Sequence, residues 1–369
     1  MKPDFYKAIV PEYIRKLKAY EPGKPIEEVE RELGIRRSIK MASNENPLGP
    51  PQKALTAMEK TAKKAHYYPA GDCFYLRRKI VKKLGIKSDE LVFGNGTNEI
   101  IELLIRCLVR PGDNIIVSEH AFLVYNLIGQ GAGAQIRTAP AKHYGHDLAA
   151  MAKMVNRKTK LVFIANPNNP TGTYCDSRSL CGFLKSVKDI PVVLDEAYYD
   201  YVDTRDYPQT LEMRKKFPNL VITRTFSKIY GLAGLRIGFG IGDAELMQYL
   251  NRLRQPFNVN MMAQEAAIAA LSDREHLNKS RRMNRDGKKF LYKELAKNDV
   301  EFLPTEANFL LIKVGKGRKV FSGMLKLGVV VRPMDVYGLP EFIRVTIGKK
   351  EQNAKFISVL TKVLGKNGR

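Results

Sequence analysis

Lys228 stands among hydroxyl residues, ahead of a glycine-broken loop that ends in arginine: Thr225-Phe226-Ser227-Lys228-Ile229-Tyr230-Gly231-Leu232-Ala233-Gly234-Leu235-Arg236. Such a lysine can form a Schiff base with a phosphorylated aldehyde cofactor, because hydroxyls and a guanidinium fork can hold a phosphate dianion beside it. Read alone, the stretch also fits a basic surface loop. A second segment, Val192-Val193-Leu194, runs into Asp195-Glu196-Ala197-Tyr198. A carboxylate at the end of a buried strand is costly unless it meets a cation, and a protonated pyridine nitrogen would be one. Asp195 would keep that ring electron-accepting, and Tyr198, three positions on, can reach a phenolic oxygen of the same ring. The alternative is an aspartate that caps the next helix.

Two further turns follow short apolar runs. Leu161 to Ala165 ends in Asn166-Pro167-Asn168-Asn169-Pro170-Thr171-Gly172, whose prolines forbid helix and sheet. Asn169 there can donate to a phenolate oxygen, or the segment is simply a rigid turn. Leu91-Val92-Phe93 runs into Gly94-Asn95-Gly96-Thr97-Asn98-Glu99 and then an amphipathic stretch. Glycines at a strand-to-helix turn let backbone N–H groups face an anion, or the segment is simply a tight turn with capping residues. The dinucleotide fingerprint is excluded, since Glu99 occupies the third glycine position, and no P-loop lysine follows.

The elements that must position these residues are legible as short runs without polar alternation. Besides those named, they are Asn114–Val117, Asn219–Thr223 and Arg236–Gly240. Such runs suit strands buried on both faces of a mostly parallel sheet, with helices covering it: an α/β fold. Ligands then sit at the carboxyl ends of the strands. After residue 258 the texture becomes α+β, with a long helical stretch from Ala263 to Lys297 and strand-like Asn308–Ile312, Val329–Arg332 and Phe342–Ile347. The expected organisation is an N-terminal arm over 1–40 that shares in the small domain, a large domain over 41–258, and a small C-terminal domain over 259–369. An acidic helix is expected over Ile26–Leu33.

Of the 369 residues, 62 are Lys or Arg and 38 Asp or Glu, a net charge of +24. The basic residues are spread along the chain at helical spacing, with no nucleic-acid motif, so a solvated cationic surface is expected rather than a specific nucleic-acid site. No apolar run is long enough to span a membrane, and the N-terminus lacks a signal-peptide core. Cys73, Cys107, Cys175 and Cys181 show no metal or disulfide spacing, which points to reduced thiols in the cytoplasm.

Taken together, these motifs resemble the fold-type-I, pyridoxal-phosphate-dependent aminotransferases, almost end to end. Ser43-Asn44-Glu45-Asn46-Pro47-Leu48-Gly49-Pro50 and the ending Val331-Arg332-Pro333-Met334 with Ile343-Arg344-Val345-Thr346-Ile347-Gly348 are similar to the histidinol-phosphate aminotransferase branch. The resemblance implies a large domain with a mostly parallel sheet, a smaller α+β domain, and pyridoxal 5'-phosphate as cofactor. It gives Lys228 the Schiff base and the proton transfer, Asp195 the pyridine nitrogen, and Tyr198 and Asn169 the phenolic oxygen. Gly96, Thr97, Thr225, Ser227 and Arg236 cradle the phosphate with Asn98 near by, and Phe122 stacks on the ring. Tyr68 extends to the phosphate of a partner subunit, implying a homodimer with shared active sites. Arg344 and Arg332 hold a carboxylate or phosphate, and Asn44 and Tyr20 line the substrate pocket. The implied reaction moves an amino group between glutamate and imidazole-acetol phosphate, giving histidinol phosphate and 2-oxoglutarate. Rival readings are an aromatic amino acid aminotransferase, a threonine-phosphate decarboxylase, and, from another class, a cationic nucleic-acid-binding protein without catalysis.

Overall fold

The computed structural model describes residues 5–18, 30, 31, 34 and 38–365. Tyr20 and most of the acidic helix expected over Ile26–Leu33 lie outside the described residues. Strands are numbered β1 (Ile39–Lys40), β2 (Leu91–Gly94), β3 (Asn114–Ser118), β4 (Gln135–Ala139), β5 (Ala141–Lys142), β6 (Gly145–His146), β7 (Thr159–Ala165), β8 (Val192–Asp195), β9 (Leu220–Thr225), β10 (Gly238–Ile241), β11 (Phe302–Leu303), β12 (Phe309–Lys313), β13 (Val329–Val330), β14 (Arg332–Pro333) and β15 (Phe342–Thr346).

The main sheet has seven strands in the order β2-β10-β9-β8-β7-β3-β4. All its pairings are parallel except those of β10, which runs antiparallel to both β2 and β9. The absence of polar alternation has a direct cause. Leu91, Phe93, Val162, Ile164, Val192 and Leu194 enter one core, while Val92, Leu161, Phe163 and Val193 enter the core on the opposite face. Both faces are dry, so each position contributes on the order of 1.5–3 kcal/mol when a large aliphatic side chain fills it. β4 has no such run. Its Gln135-Ile136-Arg137-Thr138-Ala139 lies at the sheet edge, half solvated, and carries no signal a buried strand would show.

The C-terminal unit is a four-stranded antiparallel sheet, β11-β12-β15-β14, and β1 pairs in parallel with β13 beside it. Met41 joins that core, so the chain just before residue 42 completes the small unit. The run expected as one strand over Val329–Arg332 divides into β13 and β14, which serve different sheets. The expected helix over Ala263–Lys297 is two helices, Met261–Leu271 and Arg274–Lys297, because Asp273 caps the second by accepting from the His276 N–H. Ala263, Ala266, Ala267 and Ala270 of the first helix pack into the large core, whereas Leu291 and Leu295 of the second enter the small core. Leu277, near the start of the second helix, still packs into the large core, so that helix passes from one core to the other along its length.

Candidate active site

A cleft of ≈ 300 Å³ opens at the carboxyl edge of the main sheet. Strands β7, β8 and β9 deliver Ala165, Asp195 and Thr225 to that edge, since the register aligns Ala165 with Asp195 and Asp195 with Thr223. Arg236 precedes its strand instead of following it. The antiparallel run of β10 sets Gly238 against Gly94 and Thr225, and so brings Arg236 to the same edge.

At one end the residues make an anion cradle. Helix Thr97–Leu108 begins at Gly96, whose φ is +79° and which offers no side-chain cap, so the first N–H groups are left for another acceptor. A Cβ on Gly96 would lie 2.5 Å from an Arg236 nitrogen, so only glycine lets the guanidinium approach the helix start. Arg236 Nη1 donates to Ser227 Oγ at 3.3 Å and to the Ala233 carbonyl at 3.1 Å, and the Ser227 N–H donates to Thr225 Oγ1 at 3.0 Å.

In the middle stand the lysine and the acid. Burial and the Arg344 and Arg236 guanidinium groups lower the Lys228 amine from the usual lysine range to about 8. Its Nζ donates to the Ser43 carbonyl at 3.4 Å and sits 5.5 Å from the centre of the Tyr198 ring. The loop that carries it is pinned by Asn46, which donates to the Ile229 carbonyl at 2.7 Å. Gly231 lies so close to the Gly49 carbonyl that a Cβ would stand 2.1 Å away.

Asp195 is 5% exposed. Tyr125 Oη donates to its Oδ2 at 2.8 Å and Thr223 Oγ1 to its Oδ1 at 3.2 Å. Burial pushes this carboxyl above its usual range, while Tyr125, Thr223, the Ala197 N–H and the Lys228 charge pull it back. Tyr198 Oη accepts from Asn44 Nδ2 at 2.9 Å, and burial drives its phenol up to about 12.

The far end is cationic. Arg344 is 6% exposed, donates to the Asn169 side-chain oxygen and to the Ala42 carbonyl at 2.8 Å, and lies 5.3 Å from the Phe309 ring centre. Its Nε is buried without an acceptor, and among the described residues no carboxylate stands within ion-pair distance. Arg332 and Tyr337 line the same end.

Of the residues singled out from the sequence, Asn44, Thr97, Asn98, Phe122, Asn169, Asp195, Tyr198, Thr225, Ser227, Lys228, Arg236, Arg332 and Arg344 line this one cleft, with Gly96 at its rim. Tyr68 does not. It is 80% exposed and stacks on Phe257 with ring centres 4.7 Å apart. The structure adds Ser43, Glu45 and Tyr337 to the lining, and Tyr125 and Thr223 on the Asp195 carboxylate. Tyr125 follows Phe122 by three positions, and Thr223 is opposite Asp195 in the parallel register. Both signals require the strand ends to be aligned first.

The sequence profile of the family Aminotransferase class I and II matches residues 36–360. The chain belongs to this family. Among the aminotransferases it is 47% identical over 356 residues to the histidinol-phosphate aminotransferase of Moorella thermoacetica, covering 96% of this chain and 92% of that one. To histidinol-phosphate aminotransferase 1 of Nitrosococcus oceani it is 47% identical over 353 residues, with 95% of each covered. The crystal structure of histidinol-phosphate aminotransferase from Sinorhizobium meliloti in complex with pyridoxal-5'-phosphate superposes with a TM-score of 0.89 at 25% identity, covering 96% of this chain and 97% of that one. The aspartate aminotransferase of Thermotoga maritima shares the fold at TM-score 0.85, with 22% identity over 96% of this chain and all of its own. This aminotransferase thus has the α/β fold-type-I architecture expected from its sequence. Among the described residues no helix is long and apolar enough to cross a membrane.

Proposed function

We propose that the chain is a pyridoxal-phosphate-dependent histidinol-phosphate aminotransferase that exchanges an amino group between glutamate and imidazole-acetol phosphate. The observation that carries the reading is Arg344. A guanidinium that is 6% exposed, with only neutral acceptors and an orphaned Nε, calls for an anion in the cleft. A carboxylate of glutamate and the phosphate ester of histidinol phosphate both meet that need, with Arg332 beside it. Relatives at 47% identity over nearly the whole chain carry the name of this activity.

The residues also fit the cofactor: a cradle for a phosphate at one end, an amine lowered to about 8, and a buried carboxylate whose ionisation a neighbouring cation would favour. Pyridoxal phosphate, when bound, supplies the aldehyde that takes up and releases the amino group and the ring that accepts electrons. Gly96, Thr97, Asn98, Thr225, Ser227 and Arg236 would hold its phosphate. Asp195 would keep the ring nitrogen protonated. Tyr198 and Asn169 would face the phenolic oxygen, and Phe122 would cover the ring. Lys228 Nζ would attach the cofactor and afterwards carry the proton at the substrate Cα, a task suited to an amine that is neutral near working pH.

Tyr68 is read as reaching the phosphate of a partner subunit in a homodimer. Its exposure, with Tyr67, Phe74, Tyr75 and Phe257 also exposed around it, supports that reading. Cytoplasmic residence is the reading for four cysteines without a disulfide. The test is a single-turnover panel on cofactor-loaded enzyme with histidinol phosphate, phenylalanine and threonine phosphate. Conversion of the cofactor to its amine form fastest with histidinol phosphate supports the reading. Faster conversion by phenylalanine, or carbon dioxide release from threonine phosphate, would replace it.

A further inference from the structure

We propose that Tyr125 is a positioning residue for the reaction, one that aims the Asp195 carboxylate and ties it to the ring of Phe122 through a single helical turn. This rests on the assignment of Asp195 to the cofactor's ring nitrogen and adds a residue to it. Tyr125 is fully buried and does not line the cleft; it stands behind it. Its Oη donates to Asp195 Oδ2 at 2.8 Å, while Thr223 takes the other carboxylate oxygen at 3.2 Å. The two contacts hold the carboxylate from both sides.

Both donors are neutral. They fix the direction of the carboxylate without bringing the positive charge that would satisfy it, so the acid remains in need of a cation from the cleft. Burial, and then the charge of Asp195, raise the Tyr125 phenol far above its usual range, so it stays a donor throughout the working pH range.

The ring of Tyr125 is held as firmly as its hydroxyl. It stacks on Phe163 of β7 at 4.7 Å and 12°, and meets Phe122 edge-on at 5.7 Å and 89°. Phe122 is the N-cap of helix Leu123–Gly131, and Tyr125 lies three residues on, on the same side of the turn. A displacement of that turn would move the aromatic lining of the cleft and the acid's hydrogen bond together.

Tyr125→Phe keeps both ring contacts and deletes only the donor. It is compared with Asp195→Asn and with the double variant, all as full chains stripped of cofactor and titrated with pyridoxal phosphate, with far-UV circular dichroism confirming the fold. Tyr125→Phe should raise the dissociation constant about tenfold, the scale of a hydrogen bond to a charged acceptor. It should lower kcat by a similar factor, leaving the KM for glutamate within about twofold because the arginine end is untouched. In the Asp195→Asn background the same substitution should change cofactor binding by less than about twofold. Wild-type-like binding by Tyr125→Phe overturns the proposal, as does an undiminished tenfold loss on top of Asp195→Asn. If the wild-type chain itself fails to bind the cofactor, the cofactor reading falls and this one with it.

Discussion

Asp195 and Glu196 are consecutive, and both are nearly inaccessible to solvent, yet their surroundings are opposite in kind. Asp195 is the last residue of β8 and Glu196 follows it directly in extended backbone, so the two neighbouring side chains point to opposite sides and enter two different environments. Glu196 Oε2 accepts from Arg224 Nε and Nη2, both at 2.8 Å, while Thr210 donates to Oε1 at 2.8 Å. Arg224 in turn lies 3.9 Å from the centre of the Tyr199 ring. This pair is complete within the protein. Asp195 has neutral donors and an open side, and the guanidinium across the cleft from it, Arg344, has neutral acceptors and an orphaned Nε. The lesson is that burial of charge does not by itself mark a functional site. What marks it is buried charge left electrostatically incomplete by the protein's own atoms.

The largest effect expected from this contrast is on folding. Glu196→Gln leaves Arg224 buried without its counter-ion and should cost about 3–5 kcal/mol of stability, read by denaturant unfolding of the cofactor-free chain. The folded enzyme that remains should turn over nearly as the wild type does. Asp195→Asn should show the reverse pattern: kcat lower by about 10²–10³, with the unfolding midpoint of the cofactor-free chain held or raised. If the two variants lose stability equally, the distinction between a completed and an incomplete acid is wrong.

Arg344→Ala sharpens the comparison at the other end of the cleft. It should lower kcat/KM for glutamate and for histidinol phosphate alike, by about a hundredfold, as expected when one partner of a buried charge pair is removed. A loss confined to one substrate would mean that the two anions use separate subsites.

The pH dependence tests Lys228 in the same spirit. With the amine lowered to about 8, its neutral fraction rises about tenfold per pH unit below that value and levels off above it. The rate at which the cofactor-free chain captures pyridoxal phosphate covalently should climb from pH 6 to about 8 and then flatten. A rate still climbing tenfold per unit at pH 9 would indicate a lysine in the ordinary range.

How much of this was legible in the sequence differs between the two acids as well. Asp195 could be read because a strand-like apolar run ends on it, and a carboxylate there needs a cation. Glu196 could not, because its partner Arg224 lies 28 positions on and meets it only through the pairing of β8 with β9. Strands buried on both faces announced themselves by missing alternation, whereas the half-solvated edge strand β4 did not. The cap at Asp273 is masked in the sequence because apolar periodicity continues through it from one helix to the next. Tyr125 was visible as a letter in the motif after His120. Its role depends on a helix packing against the end of a strand 70 positions later, and single-sequence patterns do not carry that.

The smallest effect concerns Asn44, which joins the two halves of the site. Its φ of +58° is in the left-handed region, its Nδ2 donates to Tyr198 Oη at 2.9 Å, and its N–H donates to Thr346 Oγ1 at 2.9 Å. The first of these bonds leaves the Tyr198 hydroxyl proton free to point into the cleft, where a phenol driven up to about 12 remains a donor. Glycine at position 44 keeps the backbone geometry and removes the side-chain donor to Tyr198 together with the long 3.4 Å contact that Thr346 Oγ1 donates to Asn44 Oδ1, so Asn44→Gly should lower kcat about fivefold, the worth of one neutral hydrogen bond facing the cleft. Asn44→Ala removes the same donor and adds a Cβ that the left-handed backbone resists, so it should lose about 1 kcal/mol more stability than the glycine variant at equal kcat. Equal stability with unequal kcat would reverse the roles of backbone and side chain, making the turn itself, rather than the bond to Tyr198, the feature that serves the cleft.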